Sequence, residues 1–149
     1  MPLKPKQLIY FAFIPFVAFS QIEEVNPPDY IKTINFKGNT PETQLPILRL
    51  GEYVVLEFDA LNGNEDDYYY KIEHFNYDWT PSVLIKSEFM DGFDNQRIRT
   101  YENSYNTYQI YSHYKLTIPN QFTKELLISG NYLLSIFNND DELVFSRKF

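Results

Sequence analysis

The sequence predicts an all-β protein, an immunoglobulin-like antiparallel β-sandwich, and three observations lead there. Several segments alternate apolar and polar residues at a period of two, while none keeps the 3.6-residue period of a long helix. Aromatic residues make up 18% of the chain, with 13 tyrosines and 13 phenylalanines, and such side chains favour pleated strands. Clusters of Asn, Asp, Gly and Pro interrupt the alternating runs at intervals suited to short strands.

The first 20 residues stand outside this pattern. Lys4 and Lys6 precede an uncharged apolar run over residues 8–19, and Ala18 and Ser20 have the small side chains a signal peptidase accepts. The run is short for a bilayer crossing. Residues 1–20 therefore read as a secretory signal and Gln21 as the mature start. The remaining segment, 21–149, suits a single sandwich domain with a sizeable core.

Along that segment, Ile34 and Phe36 mark a short strand. Val54, Leu56 and Phe58 then alternate with Tyr53, Val55, Glu57 and Asp59 in a second. The polar run 62–67 is expected as a solvated hairpin tip before a strand carrying Tyr68, Tyr70 and Ile72, with His74 on the same face. Asp91-Gly92 is expected in a turn. The clearest strand spans 108–118, where Tyr108, Ile110, Ser112, Tyr114, Leu116 and Ile118 share a face. Residues 130–136 and 143–149 flank the polar turn 138–141 as a closing hairpin. Tyr132 follows a glycine at the start of the penultimate strand, where a tyrosine corner bonds back to upstream backbone.

The residue inventory restricts the chemistry. With no cysteine there is no thiol nucleophile, thiolate metal site, disulfide or lipid-modified cysteine. The formal charge is −7, or about −9 without Lys4 and Lys6, which disfavours nucleic acid and anionic membrane as partners. His74 and His113 form no His-x-x-x-His pair, and each is expected as a hydrogen-bonded structural residue. The 62–67 run has oxygen ligands but lacks the spacing of an EF-hand loop. No nucleophile elbow, Walker loop or dinucleotide fingerprint occurs, so no catalytic residue, metal or cofactor is assigned. Trp79, the one tryptophan, is expected in the core between the sheets in preference to an exposed site. Exposed, it would stack a sugar ring or anchor a protein partner.

Six runs carry a resemblance in order along the chain. They are Leu50-Gly-Glu-Tyr-Val-Val-Leu-Glu-Phe-Asp59, Tyr68-Tyr-Tyr-Lys-Ile-Glu-His-Phe-Asn-Tyr-Asp-Trp-Thr-Pro-Ser82, Asp91-Gly-Phe93, Asn103-Ser-Tyr-Asn-Thr107, His113-Tyr114 and Ser129-Gly-Asn-Tyr-Leu-Leu134. Together they resemble the N-terminal domain of the type IX secretion system plug protein family. The resemblance implies a non-catalytic periplasmic protein of Bacteroidota-type bacteria that binds the outer-membrane β-barrel translocon and occludes its periplasmic opening, without inserting in the membrane itself. It also implies a longer architecture with further β domains, of which 21–149 is the N-terminal part. Family members often carry a cysteine where this chain has Phe75. The candidate partner-binding residues, chosen by type as amphipathic groups in loops or strand ends, are Tyr77, Asp78, Trp79, Asn103, Asn106 and His113. The alternative function is an exported carbohydrate-binding β-sandwich module with Trp79 and the tyrosines as its platform.

Overall fold

The computed structural model describes residues 22–38, 45–63 and 65–149; residues 1–20, expected as a signal, Gln21 and Asn64 of the 62–67 run lie outside these. Among the described residues ten strands follow in order: β1 (Ile31–Gly38), β2 (Val54–Ala60), β3 (Tyr69–Phe75), β4 (Met90–Gly92), β5 (Gln96–Arg97), β6 (Thr100–Asn103), β7 (Ser112–Ile118), β8 (Thr123–Leu126), β9 (Asn131–Phe137) and β10 (Leu143–Lys148). A one-turn helix, α1 (Lys86–Phe89), precedes β4. One sheet has the order β1-β2-β7-β6, the other β10-β9-β3-β5, and β4 pairs with β8 in a small ribbon; all pairings are antiparallel. The first sheet matches the A-B-E-D order of an immunoglobulin sandwich, and β3, β9 and β10 take the places of C, F and G.

Alternation explains which residues the sheets bury. Val54, Leu56, Phe58 and Ala60 of β2 point inward with Tyr114, Leu116 and Ile118 of β7, facing Tyr70, Ile72, Leu134, Ile136 and Phe145 across the sandwich. The aromatic content is concentrated at the centre. Phe58 stacks on Tyr114 with ring centroids 5.1 Å apart and meets Tyr68 and Phe145 edge-on, each at 5.3 Å. Such offset and edge-on pairs add about 0.5–1.5 kcal/mol each beyond area burial. The buried Tyr114 hydroxyl keeps its bonds, donating to the Asp66 carbonyl (2.8 Å) and accepting from the Asp66 N–H (3.1 Å).

Tyr132 forms the expected corner. Its hydroxyl donates to the Ile128 carbonyl at 2.6 Å, and burial pushes its pKa up to about 12. The closing hairpin of β9 and β10 also occurs, around a turn in which Asn138 Oδ1 accepts the N–H groups of Asp140 (3.0 Å) and Glu142 (2.9 Å).

Four expectations are corrected. The strand expected over 108–118 begins only at Ser112, because residues 104–111 leave the sheet as a loop closed by Ser104 N–H donating to the Tyr111 carbonyl (2.8 Å). The 62–67 run is no hairpin tip: β2 and β3 belong to different sheets, so it crosses between them. Asp91-Gly92 lies within β4 rather than in a turn, and Gly92 has φ +104 with a hypothetical Cβ only 1.9 Å from the Phe122 carbonyl oxygen. Trp79 is not between the sheets. Tyr70 and Ile72 fill the interior positions of β3, the strand ends at Phe75, and Trp79 falls in the following turn with φ +62, half-buried.

Candidate partner-binding site

The six candidate residues divide between opposite ends of the sandwich. Tyr77, Asp78 and Trp79 follow the end of β3, where β9 begins and β10 finishes. Asn103, Asn106 and His113 lie around the β6–β7 connection, where β2 ends.

At the first end, the turn is built by Asp78. Its carboxylate accepts from the Thr80 hydroxyl (2.7 Å) and N–H (3.1 Å), and these bonds hold its pKa below the usual carboxylate range. Asn131 Nδ2 of β9 donates to the carbonyls of Asn76 (2.9 Å) and Tyr77 (3.2 Å), fixing the turn to the sheet. Tyr77 is left 93% exposed. Trp79 carries the Lys148 ammonium 4.3 Å from its ring centre and lies 6.1 Å from the Phe75 ring. Nearby, a groove of about 400 Å³ is lined by Leu48, Leu50, Pro119, Ile128, Tyr132 and Phe149, among others.

At the second end, Asn103 Nδ2 donates to a Glu65 carboxylate oxygen, and its Oδ1 accepts from the Ser112 hydroxyl at 2.8 Å. Asn106 is exposed and adopts φ +56, a conformation asparagine tolerates better than most residues. His113 Nδ1 sits 2.6 Å from Asp59 Oδ1, the cross-strand neighbour in the β2–β7 register, and is the hydrogen-bonded structural histidine expected. Residue type alone did not reveal Tyr105, Tyr108 and Ile110, which are 93%, 112% and 59% exposed in the same connection.

His74 departs from the expectation of a hydrogen-bonded histidine. It packs edge-on to Tyr132 (5.0 Å) and stacked on Phe89 (5.6 Å), and neither ring nitrogen has a hydrogen-bond partner among the described residues. A Cβ on Gly130 would lie 2.2 Å from its Nε2, so the glycine is required by the ring's position.

Among the described residues, neither end assembles a nucleophile with a base. Each presents aromatic and amide groups on a braced backbone, an arrangement suited to contact.

Among solved structures, the crystal structure of a hypothetical protein from Parabacteroides merdae is similar, with a TM-score of 0.80 and 32% identity over 88% of this chain and 34% of that one. The chain thus spans about a third of the length of that relative. No curated protein sequence matches it. The family described as the type 9 secretion system plug protein 1st domain matches over residues 31–149, from the first residue of β1 through the closing hairpin. A match over the sandwich itself places the chain in the family of the type 9 secretion system plug protein, as its first domain.

Proposed function

We propose that this chain is a non-catalytic periplasmic component of type IX secretion that binds the outer-membrane translocon barrel and occludes its periplasmic opening. Family membership over residues 31–149 carries the reading. Blocking a pore demands a rigid body and a reversible interface rather than a reactive group. The braced loops with exposed tyrosines at both ends of the sandwich meet that demand. Affinity purification of the tagged protein from its native envelope is expected to recover a very large outer-membrane barrel. Repeated recovery of no barrel component would remove the specific role.

A carbohydrate-binding role has one observation in its favour, the position of Trp79 outside the core, where its ring can be reached. Lys148 covers part of that ring. Saturable binding on a glycan array, lost in Trp79→Ala, would establish the sugar reading over the plug.

A further inference from the structure

We propose that the docking face is the end of the sandwich formed by residues 61–63 and 65–68, 104–111 and 138–142, and that it fits a protein surface with an apolar recess rimmed by lysine and arginine. This inference rests on the secretion-component reading and adds to it a face and a partner chemistry.

The first support is the 104–111 connection. Tyr105, Tyr108 and Ile110 are exposed within six residues, a local density of apolar surface that the rest of this end does not share. The loop that carries them is held in shape. Tyr111 N–H donates to Ser104 Oγ (2.9 Å), Ser104 N–H to the Tyr111 carbonyl (2.8 Å), and Thr107 Oγ1 to the Gln109 carbonyl (2.7 Å). Gln109 Nε2 reaches the Leu61 carbonyl (3.2 Å), and Asn103 donates to Glu65, so the loop is also tied to the neighbouring 61–68 connection. Tyrosines on a braced loop offer large contact area with little left to order on binding.

The second support is the charge at this end of the sandwich. Glu65, Asp66 and Glu102 flank the loop, and Asp140 and Glu142 project from the β9–β10 turn. Among the described residues, no lysine or arginine forms an ion pair with any of these five, whereas Asp67 is paired with Arg97 and Asp141 with Lys71. Asp66 and Glu142, from two different connections, converge on Tyr30: burial and then these two carboxylates push its pKa up. This end of the sandwich therefore combines an excess of negative charge with one apolar apex. Complementarity requires a partner that is apolar at its centre and basic at its rim. At the opposite end the charge is mixed, since Lys148 lies on Trp79 and both Arg49 and Glu52 line the groove.

The test measures binding of the mature chain to the purified outer-membrane barrel of the same secretion system at low and high salt. Three pairs of substitutions are compared: Tyr105→Ser with Tyr108→Ser, Glu102→Gln with Glu142→Gln, and Tyr77→Ser with Leu50→Ser, a groove residue, at the other end. The proposal expects roughly a 30-fold loss of affinity for the loop pair, as for central aromatic anchors. It expects a several-fold slower association that depends less on salt for the charge pair, and a change of no more than about threefold for the far-end pair. Wild-type affinity in the loop pair overturns the proposed face; if the far-end pair then weakens binding, the secretion reading stands with the opposite face. Unchanged association and salt dependence in the charge pair overturn the basic-rimmed partner. A wild-type chain that binds no barrel overturns both this inference and the reading it rests on.

Discussion

Tyr132, Gly130 and Glu57 show how single positions hold the fold. Removing the Tyr132 hydroxyl leaves the Ile128 carbonyl without its donor, so Tyr132→Phe is expected to cost about 1–2 kcal/mol in denaturant unfolding. Equal stability of the two proteins would show that the corner bond contributes nothing. Gly130→Ala drives a methyl group into a ring confined by Phe89 and Tyr132 and should cost roughly 1–3 kcal/mol. In the His74→Ala background the clash is relieved, and a double-mutant cycle should find strong coupling; additive effects would contradict the contact. Glu57 lies between Lys37 (3.3 Å) and Lys115 (3.2 Å); burial opposes its ionisation, but the two ammonium groups prevail and hold its pKa below normal. A lowered folded-state pKa stabilises the fold above the unfolded-state value and is lost as pH falls through the folded one. Glu57→Gln should therefore destabilise at neutral pH, with the difference from wild type shrinking in unfolding curves taken below about pH 4. A difference independent of pH would refute the electrostatic cause.

Among the elements, β3 is fully paired with β9 on one side but only partly on the other, where β5 covers only Tyr69 and Tyr70. The remaining edge is closed by other means. Ile72 N–H donates to the buried Asp94 carboxylate (2.8 Å), which also pairs with Lys86; Ser82 N–H donates to the His74 carbonyl (3.3 Å); and Pro81 bridges to Phe75. Asp94→Ala is expected to cost about 1–3 kcal/mol and leave an N–H open to another chain. Light scattering on partial unfolding should then rise above that of Asp94→Asn, which keeps an acceptor. The same level of association in both variants would show that the edge is guarded elsewhere.

The elements most legible in the sequence were those whose alternation continues while hydrogen-bonded partners are present, as in β2, β3 and the β9–β10 hairpin. Alternation does not register where a ladder stops. Tyr108 and Ile110 continue the pattern of Tyr114 and Leu116, yet β6 ends at Asn103 and leaves them unpaired. Trp79 was misplaced for a related reason, since residue type favours burial but the Asn76–Thr80 hydrogen bond turns the chain outward first. His74 was assigned the correct face, but not its neighbours, because Phe89 arrives from α1, in the connection between β3 and β4, which period two does not describe.

At the scale of the whole molecule, the sandwich is a scaffold that separates two surfaces. Its core of interlocked rings fixes the backbone, and the short connections at each end inherit that rigidity. The candidate residues of the two ends cannot act on one small ligand together, but they could meet different parts of a large partner. This division was not legible in the sequence, where Trp79 and His113 are simply two members of an ordered set of runs. Sheet membership decides it, through pairings between segments such as 59 and 113 or 75 and 131.

The most direct test of the central claim is the ion conductance of the purified translocon barrel in a planar bilayer before and after the chain is added on the periplasmic side. Occlusion predicts a saturable fall in conductance that reverses when the chain is washed out. A barrel that conducts equally well with saturating chain bound would contradict it.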